Sequence, residues 1–183
     1  MKKHDGYVLI QSVENRGTSC KVFFPLSAKQ PSEPIVESDE EIIEGEGTIL
    51  IIDDEKYLRE VFKSMIKLMG YNFIEAANGK EAVEVYKANK DRVDLVILDY
   101  AMPGLNGKQT YYLLKKLNPN IRVILCTGYS EQKKIWELTR HENVEFLPKP
   151  FTIETLSKRI HSLLDAASAR KKSISTGNGR TET

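Results

Sequence analysis

Three aspartates, a threonine and a lysine carry the chemistry that this sequence could perform: Asp53 and Asp54 in tandem, then Asp99, Thr127 and Lys149. Each stands at the end of an apolar run of strand length. Carboxylates brought to one place repel one another and push at least one pKa upward unless a cation neutralises them. A hard divalent cation meets that need. Mg²⁺ takes oxygen ligands from one or two carboxylates, a backbone carbonyl and several waters, and it pairs readily with phosphate. The Lys149 ammonium and the Thr127 hydroxyl then supply donors for an anion beside the metal. Together these groups suit phosphoryl transfer, in which positioning and charge neutralisation provide most of the catalysis. A carboxylate can itself be the nucleophile. Asp99 is the candidate, because it follows the most apolar run, the one expected at the centre of a sheet. Taken singly, Asp54 reads as a helix cap, Thr127-Gly128 as a turn and Lys149-Pro150 as a loop. Their order along the chain is what argues for a site.

For these side chains to converge, the elements behind them must be parallel strands. From Thr48 onward, strand-length apolar runs alternate five times with stretches of helical period, the order of a parallel sheet with crossover helices. The strand candidates are Ile49–Ile52, Asn72–Ala76, Val93–Leu98, Ile121–Cys126 and Val144–Leu147. The third and fourth are nearly continuous apolar runs, as expected of strands covered on both faces. Between them, Leu58, Phe62, Met65, Ile66 and Met69 form one helical stripe, and Leu156, Ile160, Leu163 and Leu164 form another. Asn78 with Glu81 has the spacing of a helix start, Gly70 fits a helix end, and Gly107 lies at the approach to the third helix. In such a sheet, ligands bind beyond the carboxyl ends of the strands, where the candidate residues lie.

The remainder of the chain differs in kind. Residues 26–47 hold Pro31, Pro34 and an acidic cluster, and read as a solvated linker. Before it, Tyr7–Val13 and Ser19–Phe24 flank the turn-rich segment 14–18, which suits a hairpin; an isolated hairpin is marginal in water and should belong to something larger. Residues 168–183 are polar and read as a disordered tail. Over 183 residues, 40% hydrophobic and 29% charged residues with a net charge of +1 fit a soluble globular chain with no overall pull toward nucleic acid or membrane. No apolar run nears the roughly 18 residues of a transmembrane helix, and the N-terminus lacks a signal sequence. The expected location is cytoplasmic. Cys20 and Cys126 both sit in apolar runs and read as buried, reduced thiols.

The residues Ile51-Ile52-Asp53-Asp54-Glu55, Leu98-Asp99-Tyr100-Ala101-Met102-Pro103-Gly104, Cys126-Thr127-Gly128 and Phe146-Leu147-Pro148-Lys149-Pro150 together resemble the receiver domain of two-component response regulators, over 48–167. The resemblance implies an α/β fold, a doubly wound (βα)₅ parallel sheet of strand order 2-1-3-4-5, of the flavodoxin and receiver kind. It implies that Asp99 is the phosphorylated residue. Asp54, Asp99 and the backbone carbonyl of Ala101 would bind Mg²⁺, or Mn²⁺ in its place, with Asp53 acting largely through water. Lys149 would bridge to the phosphoryl oxygens. Thr127 would swing toward the phosphate, with Phe146 following by a rotamer change. The Lys149–Pro150 bond is a candidate for the cis form, and Tyr129 would shape water access to the acceptor.

The N-terminal segment, residues 1–25, with Gly6-Tyr7-Val8-Leu9-Ile10, Arg16-Gly17-Thr18 and Phe23-Phe24-Pro25, looks like the last hairpin of a histidine-kinase ATP-binding domain. The implied parent is a hybrid histidine kinase with a C-terminal receiver. The chain itself carries no phosphorylatable-histidine helix pair and no nucleotide-binding boxes, so it is not expected to act as a kinase. Its expected partner is a histidine kinase or a histidine phosphotransfer protein, with output through protein contacts rather than DNA. The alternative is a receiver-like interaction module that does not use phosphate. A flavodoxin-like carrier is disfavoured by Asp53-Asp54-Glu55, which would repel a flavin phosphate, and a haloacid-dehalogenase-type phosphatase by Glu55, where that chemistry needs a second aspartate.

Overall fold

A computed structural model of the chain describes residues 5–26, 41–128, 138, 140, 141 and 143–176, with side chains described as far as residue 165. The chain divides into two compact units between Asp39 and Glu40.

In the first unit, strands β1 (Tyr7–Val13) and β2 (Gly17–Phe23) pair antiparallel, with Tyr7 opposite Phe23 and Val13 opposite Gly17. Asn15 and Gly17 close the turn with φ of 60° and 101°, values that asparagine and glycine adopt most readily. Tyr7 and Phe23 stack with ring centroids 4.6 Å apart. Both strands are exposed along their whole length. Cys20 is therefore exposed, contrary to the expectation of a buried thiol, because two strands alone offer no layer to cover it.

In the second unit, β3 (Thr48–Ile52), β4 (Asn72–Ala76), β5 (Leu95–Asp99), β6 (Val123–Thr127) and β7 (Val144–Pro148) form a parallel sheet of order β4-β3-β5-β6-β7. This is the expected 2-1-3-4-5 order. Side chains alternate between two cores, as the two-residue period of a strand requires. Leu50, Ile52, Val96, Leu98 and Leu125 pack under α2 (Gly79–Asn89) and α3 (Gly107–Leu117), through Ala82, Tyr86, Tyr111 and Leu114. Ile49, Ile51, Leu95, Ile97 and Ile124 pack under α1 (Lys56–Leu68) and α4 (Ile153–Thr176), through Phe62, Ile66, Leu156 and Ile160. Burying one such side chain contributes about 1.5–3 kcal/mol. The sheet is thus fixed from both faces. The expected helix between β6 and β7 and the position of Tyr129 lie outside the described residues.

Local signals set the helix ends. Asn78 caps α2 by accepting from the Glu81 N–H at 3.0 Å, while the Glu81 carboxylate accepts from the Ala77 N–H at 2.8 Å. After α1, Gly70 turns left-handed at φ 86°, its N–H bonding to the Lys67 carbonyl and that of Tyr71 to the Ile66 carbonyl at 3.0 and 3.1 Å. That pair of bonds is a Schellman motif.

Two boundaries differ from the sequence expectation. Residues 41–47 do not behave as a solvated linker. Ile42 packs into the α1/α4 core, the Ile43 N–H donates to Ser157 Oγ at 3.3 Å, and the Gly45 N–H donates to the Met69 carbonyl at 2.9 Å. A composition count sees the glutamates here and misses the two isoleucines between them. At the other end, α4 runs past Ala167 to Thr176, where alanine, arginine and lysine favour helix over tail.

Candidate functional site

The four strands that carry the candidate residues lie side by side in the sheet, so their carboxyl ends share one edge. Asp99 closes the central strand β5, and Thr127 closes β6. Both are the last residues of their strands rather than the first of the following loops. Asp53 and Asp54 follow β3, and Lys149 follows β7. Strand order reverses between β3 and β5, the place where open α/β sheets leave a crevice for ligands.

Carboxylate oxygens of Asp53, Asp54 and Asp99 all lie within 4.8 Å of one another. Asp53 and Asp99 are buried, whereas Asp54 is exposed. The Lys149 Nζ lies 3.0 Å from Asp53 Oδ2 and 3.0 Å from Asp99 Oδ1, which pairs one ammonium with two buried carboxylates. Asp53 uses its second oxygen to accept from the Glu55 N–H at 2.9 Å. The Lys149 N–H donates to the Thr127 carbonyl at 2.9 Å, so the fourth and fifth sheet strands hold their two functional residues together through the backbone. The Lys149–Pro150 peptide is cis.

Burial pushes the Asp99 carboxyl above its ordinary range, the adjacent Lys149 ammonium opposes this, and repulsion from Asp53 and Asp54 adds to it. For Lys149, burial works against the charged form, but Asp99 and Asp53 outweigh it and hold the ammonium above its ordinary pKa. Burial also pushes the Cys126 thiol up, so it stays protonated and is no competing nucleophile. Among the described residues, one ammonium facing three carboxylates leaves the site short of positive charge. An all-oxygen donor set with that deficit fits a hard divalent cation such as Mg²⁺. Asp54, exposed, and Asp99 would hold it directly, while Asp53, with one oxygen on a backbone N–H and the other on Lys149, suits an indirect role.

Thr127 is fully buried, its hydroxyl 3.4 Å from the Gly128 carbonyl. Phe146 is half-buried in β7 opposite Leu125 and packs against the α2/α3 core. Ala101 is exposed just beyond Asp99. The structure thus gathers Asp53, Asp54, Asp99 and Lys149 into one cluster, sets Thr127 on its flank and leaves Phe146 in the adjoining core.

Two further residues shape the site. Gly107 begins α3 against the Asp99 backbone: a Cβ there would lie 2.5 Å from the Asp99 carbonyl oxygen and 2.6 Å from the Tyr100 Cα. Arg59, in the first turn of α1, donates from Nη1 to the carbonyls of Asp53 and Asp54 at 2.8 and 3.3 Å, and from Nε to the Glu75 carboxylate at 3.2 Å. The sequence held a signal for Arg59. A helix start favours carboxylates, yet this first turn has none and carries a guanidinium instead.

The model of the family described as response regulator receiver domain matches residues 49–161. Sensor kinase CckA of Brucella abortus is 30% identical over 173 residues, a match that takes in 90% of this chain and 18% of that protein. The chain therefore spans less than a fifth of that relative. Chemotaxis protein CheY of Thermotoga maritima is 36% identical over 115 residues, 60% of this chain and 94% of that protein. Among solved structures, the CheX-CheY-BeF₃-Mg²⁺ complex from Borrelia burgdorferi aligns with a TM-score of 0.60 at 26% identity, covering 64% of this chain and 88% of that one.

Proposed function

The chain belongs to the response regulator receiver domain family, and on that footing we propose that it accepts a phosphoryl group on Asp99 from a phosphohistidine of a partner protein, in a phosphorelay. The observation that carries this reading is the buried Asp99 carboxylate at the end of the central strand, 3.0 Å from the Lys149 ammonium and ringed by Asp53 and Asp54. An Asp99 oxygen attacks the phosphorus, the N–P bond to the donor imidazole breaks, and the imidazole leaves as the neutral ring after gaining a proton. Lys149 neutralises charge on the transferring group. The Thr127 hydroxyl, beside it, donates to a phosphoryl oxygen once it turns from the Gly128 carbonyl, and Phe146 then relays that turn into the β7 face. Bound Mg²⁺, or Mn²⁺, held by Asp54, Asp99 and the Ala101 carbonyl, would supply further positive charge to the phosphoryl oxygens. The relative crystallised with Mg²⁺ and BeF₃ supports that choice of ion.

The partner is a histidine kinase or a histidine phosphotransfer protein. Next to Lys149 lies an apolar cleft of about 390 Å³ lined by Leu58, Val61, Phe62, Met65, Pro150 and Phe151. A helix carrying the donor histidine could lay an apolar face there while its imidazole reaches Asp99. The match to a sensor kinase extends over 90% of the chain, well beyond residues 49–161, and supports the reading of residues 1–25 as the last hairpin of a kinase ATP-binding domain.

Acetyl phosphate with Mg²⁺ should add one phosphoryl group to the wild-type chain, read by intact-protein mass spectrometry, and none to Asp99→Asn. Equal labelling of the two proteins would remove Asp99 as the acceptor.

A further inference from the structure

A basic residue in the first turn of a helix is opposed by the positive end of the helix dipole, and an arginine placed there must be held by something stronger. Arg59 is held by three groups at once. Its side chain is 12% exposed, its Nη1 lies 2.8 Å from the Asp53 carbonyl and 3.3 Å from the Asp54 carbonyl, and its Nε lies 3.2 Å from the Glu75 carboxylate. Glu75 is in turn anchored by Lys63 at 3.3 Å, and it sits in β4, in register with Ile51 of β3. The guanidinium therefore ties the peptides of the Asp53-Asp54 turn to the neighbouring strand. Nothing in the packing of α1 requires this, since the buried face of that helix is carried by Phe62 and Ile66.

We propose that Arg59 is the positioning residue of the divalent-cation site: through the Asp53 and Asp54 carbonyls and the Glu75 anchor, it holds the carboxylate turn in the conformation that receives the ion. This rests on the metal-binding part of the function proposed above. Two effects of Arg59 oppose each other, and their signs separate them. Its positive charge near a dication disfavours binding through space, whereas its hold on the turn favours binding by pre-ordering the ligands. If charge dominated, removing the guanidinium would tighten binding; if positioning dominates, removal weakens it.

Mn²⁺ binding to the full chain, followed by the loss of the free-ion electron paramagnetic resonance signal, reads the sign directly. Arg59→Met should weaken Mn²⁺ roughly tenfold, within the range for residues that orient metal ligands. Arg59→Lys should recover only part of that loss, because a single ammonium cannot span two carbonyls and a carboxylate as the planar fork does. Glu75→Gln, which leaves Arg59 in place but weakens its anchor, should fall between wild type and Arg59→Met. Thermal melts in chelator establish that each variant is folded; should Arg59→Met not fold, Arg59→Lys and Glu75→Gln carry the test. Variants that are folded and bind Mn²⁺ as tightly as wild type, or more tightly, overturn the proposal. A wild-type chain that itself fails to bind Mn²⁺ overturns the metal site of the proposed function and this inference with it.

Discussion

Asp99 is buried in a place that suits it poorly as an anion while no cation is bound. Its raised pKa means that the folded chain binds the Asp99 proton more tightly than the unfolded chain does. Between the ordinary carboxylate pKa and the raised one, the folded state thus holds more protons, and stability falls as pH rises through that window. Above it, ionised Asp99 is a standing cost. In chelator at neutral pH, Asp99→Asn should melt higher than wild type, by roughly 1 kcal/mol or about 3 °C for a chain of this size. Added Mg²⁺ should raise the wild-type Tm and close most of that gap, because an ion bound only by the folded state stabilises it. Scanning calorimetry of both proteins with and without Mg²⁺ checks this; a lower Tm for the metal-free Asn variant would contradict it. The site was legible from residue type and order: Asp53, Asp54, Asp99 and Lys149 meet as the spacing implied. Arg59 was not read, because its role depends on carbonyl groups that carry no sequence signature, and the only cue was a charge of the wrong sign for its place in a helix.

At the scale of the element, helix starts govern how tightly Asp99 is held. The Asn106 side chain caps α3 by accepting from the Gln109 N–H at 2.9 Å, and the Gln109 side chain accepts from the Asn106 N–H at 3.1 Å. Asn106→Ala should cost about 1 kcal/mol, measured by denaturant unfolding. The next residue has a larger effect for its size. Gly107→Ala would drive a methyl group into the Asp99 and Tyr100 backbone, which cannot rotate away as a side chain can. The expected result is destabilisation of about 2 kcal/mol, together with acetyl-phosphate labelling slowed by more than tenfold, since small misplacements of a nucleophile are costly. A labelling rate equal to wild type would show that the acceptor tolerates the shift. Strand and helix types followed from periodicity, but their ends did not: β5 and β6 each run one residue further than the apolar run, because Asp99 and Thr127 stay in the backbone ladder despite their polarity. Gly107 read as a helix approach; that it touches the Asp99 backbone is a tertiary fact no local pattern carries.

Over the whole chain, the line between the two units falls earlier than composition suggests. Residues 41–47 belong with the sheet, and Gly45 lies so close to Tyr71 that a Cβ there would meet the ring. Shortened chains should show this. One starting at Glu41 is expected to melt within about 1 °C of the full chain, because the exposed hairpin adds little core. One starting at Thr48 should lose about 2 kcal/mol through the Ile42 contact and the hydrogen bonds from Ile43 and Gly45. Equal melting temperatures for the two would mean that these contacts contribute nothing. The parallel sheet and its two cores were readable because β3, β5 and β6 are buried along their whole length and each helix carries one apolar stripe, whereas the strand order followed from the family resemblance. The docked segment was not, since two isoleucines among glutamates give no period to follow.

The pairing of Lys149 with two carboxylates has a chemical consequence of its own. A phosphorylated aspartate is a mixed anhydride, and a neutral amine beside it would attack the acyl carbon, expel phosphate and weld the two side chains into an amide. Lys149 stands at that distance from Asp99. In the unphosphorylated chain Asp99 and Asp53 hold the ammonium above its ordinary pKa. With Asp99 joined to phosphate, Asp53 and the anionic phosphoryl oxygens would keep it charged and without the lone pair such an attack requires. On the proposed function, the same charge that draws a phosphoryl group in would keep the protein from acylating itself.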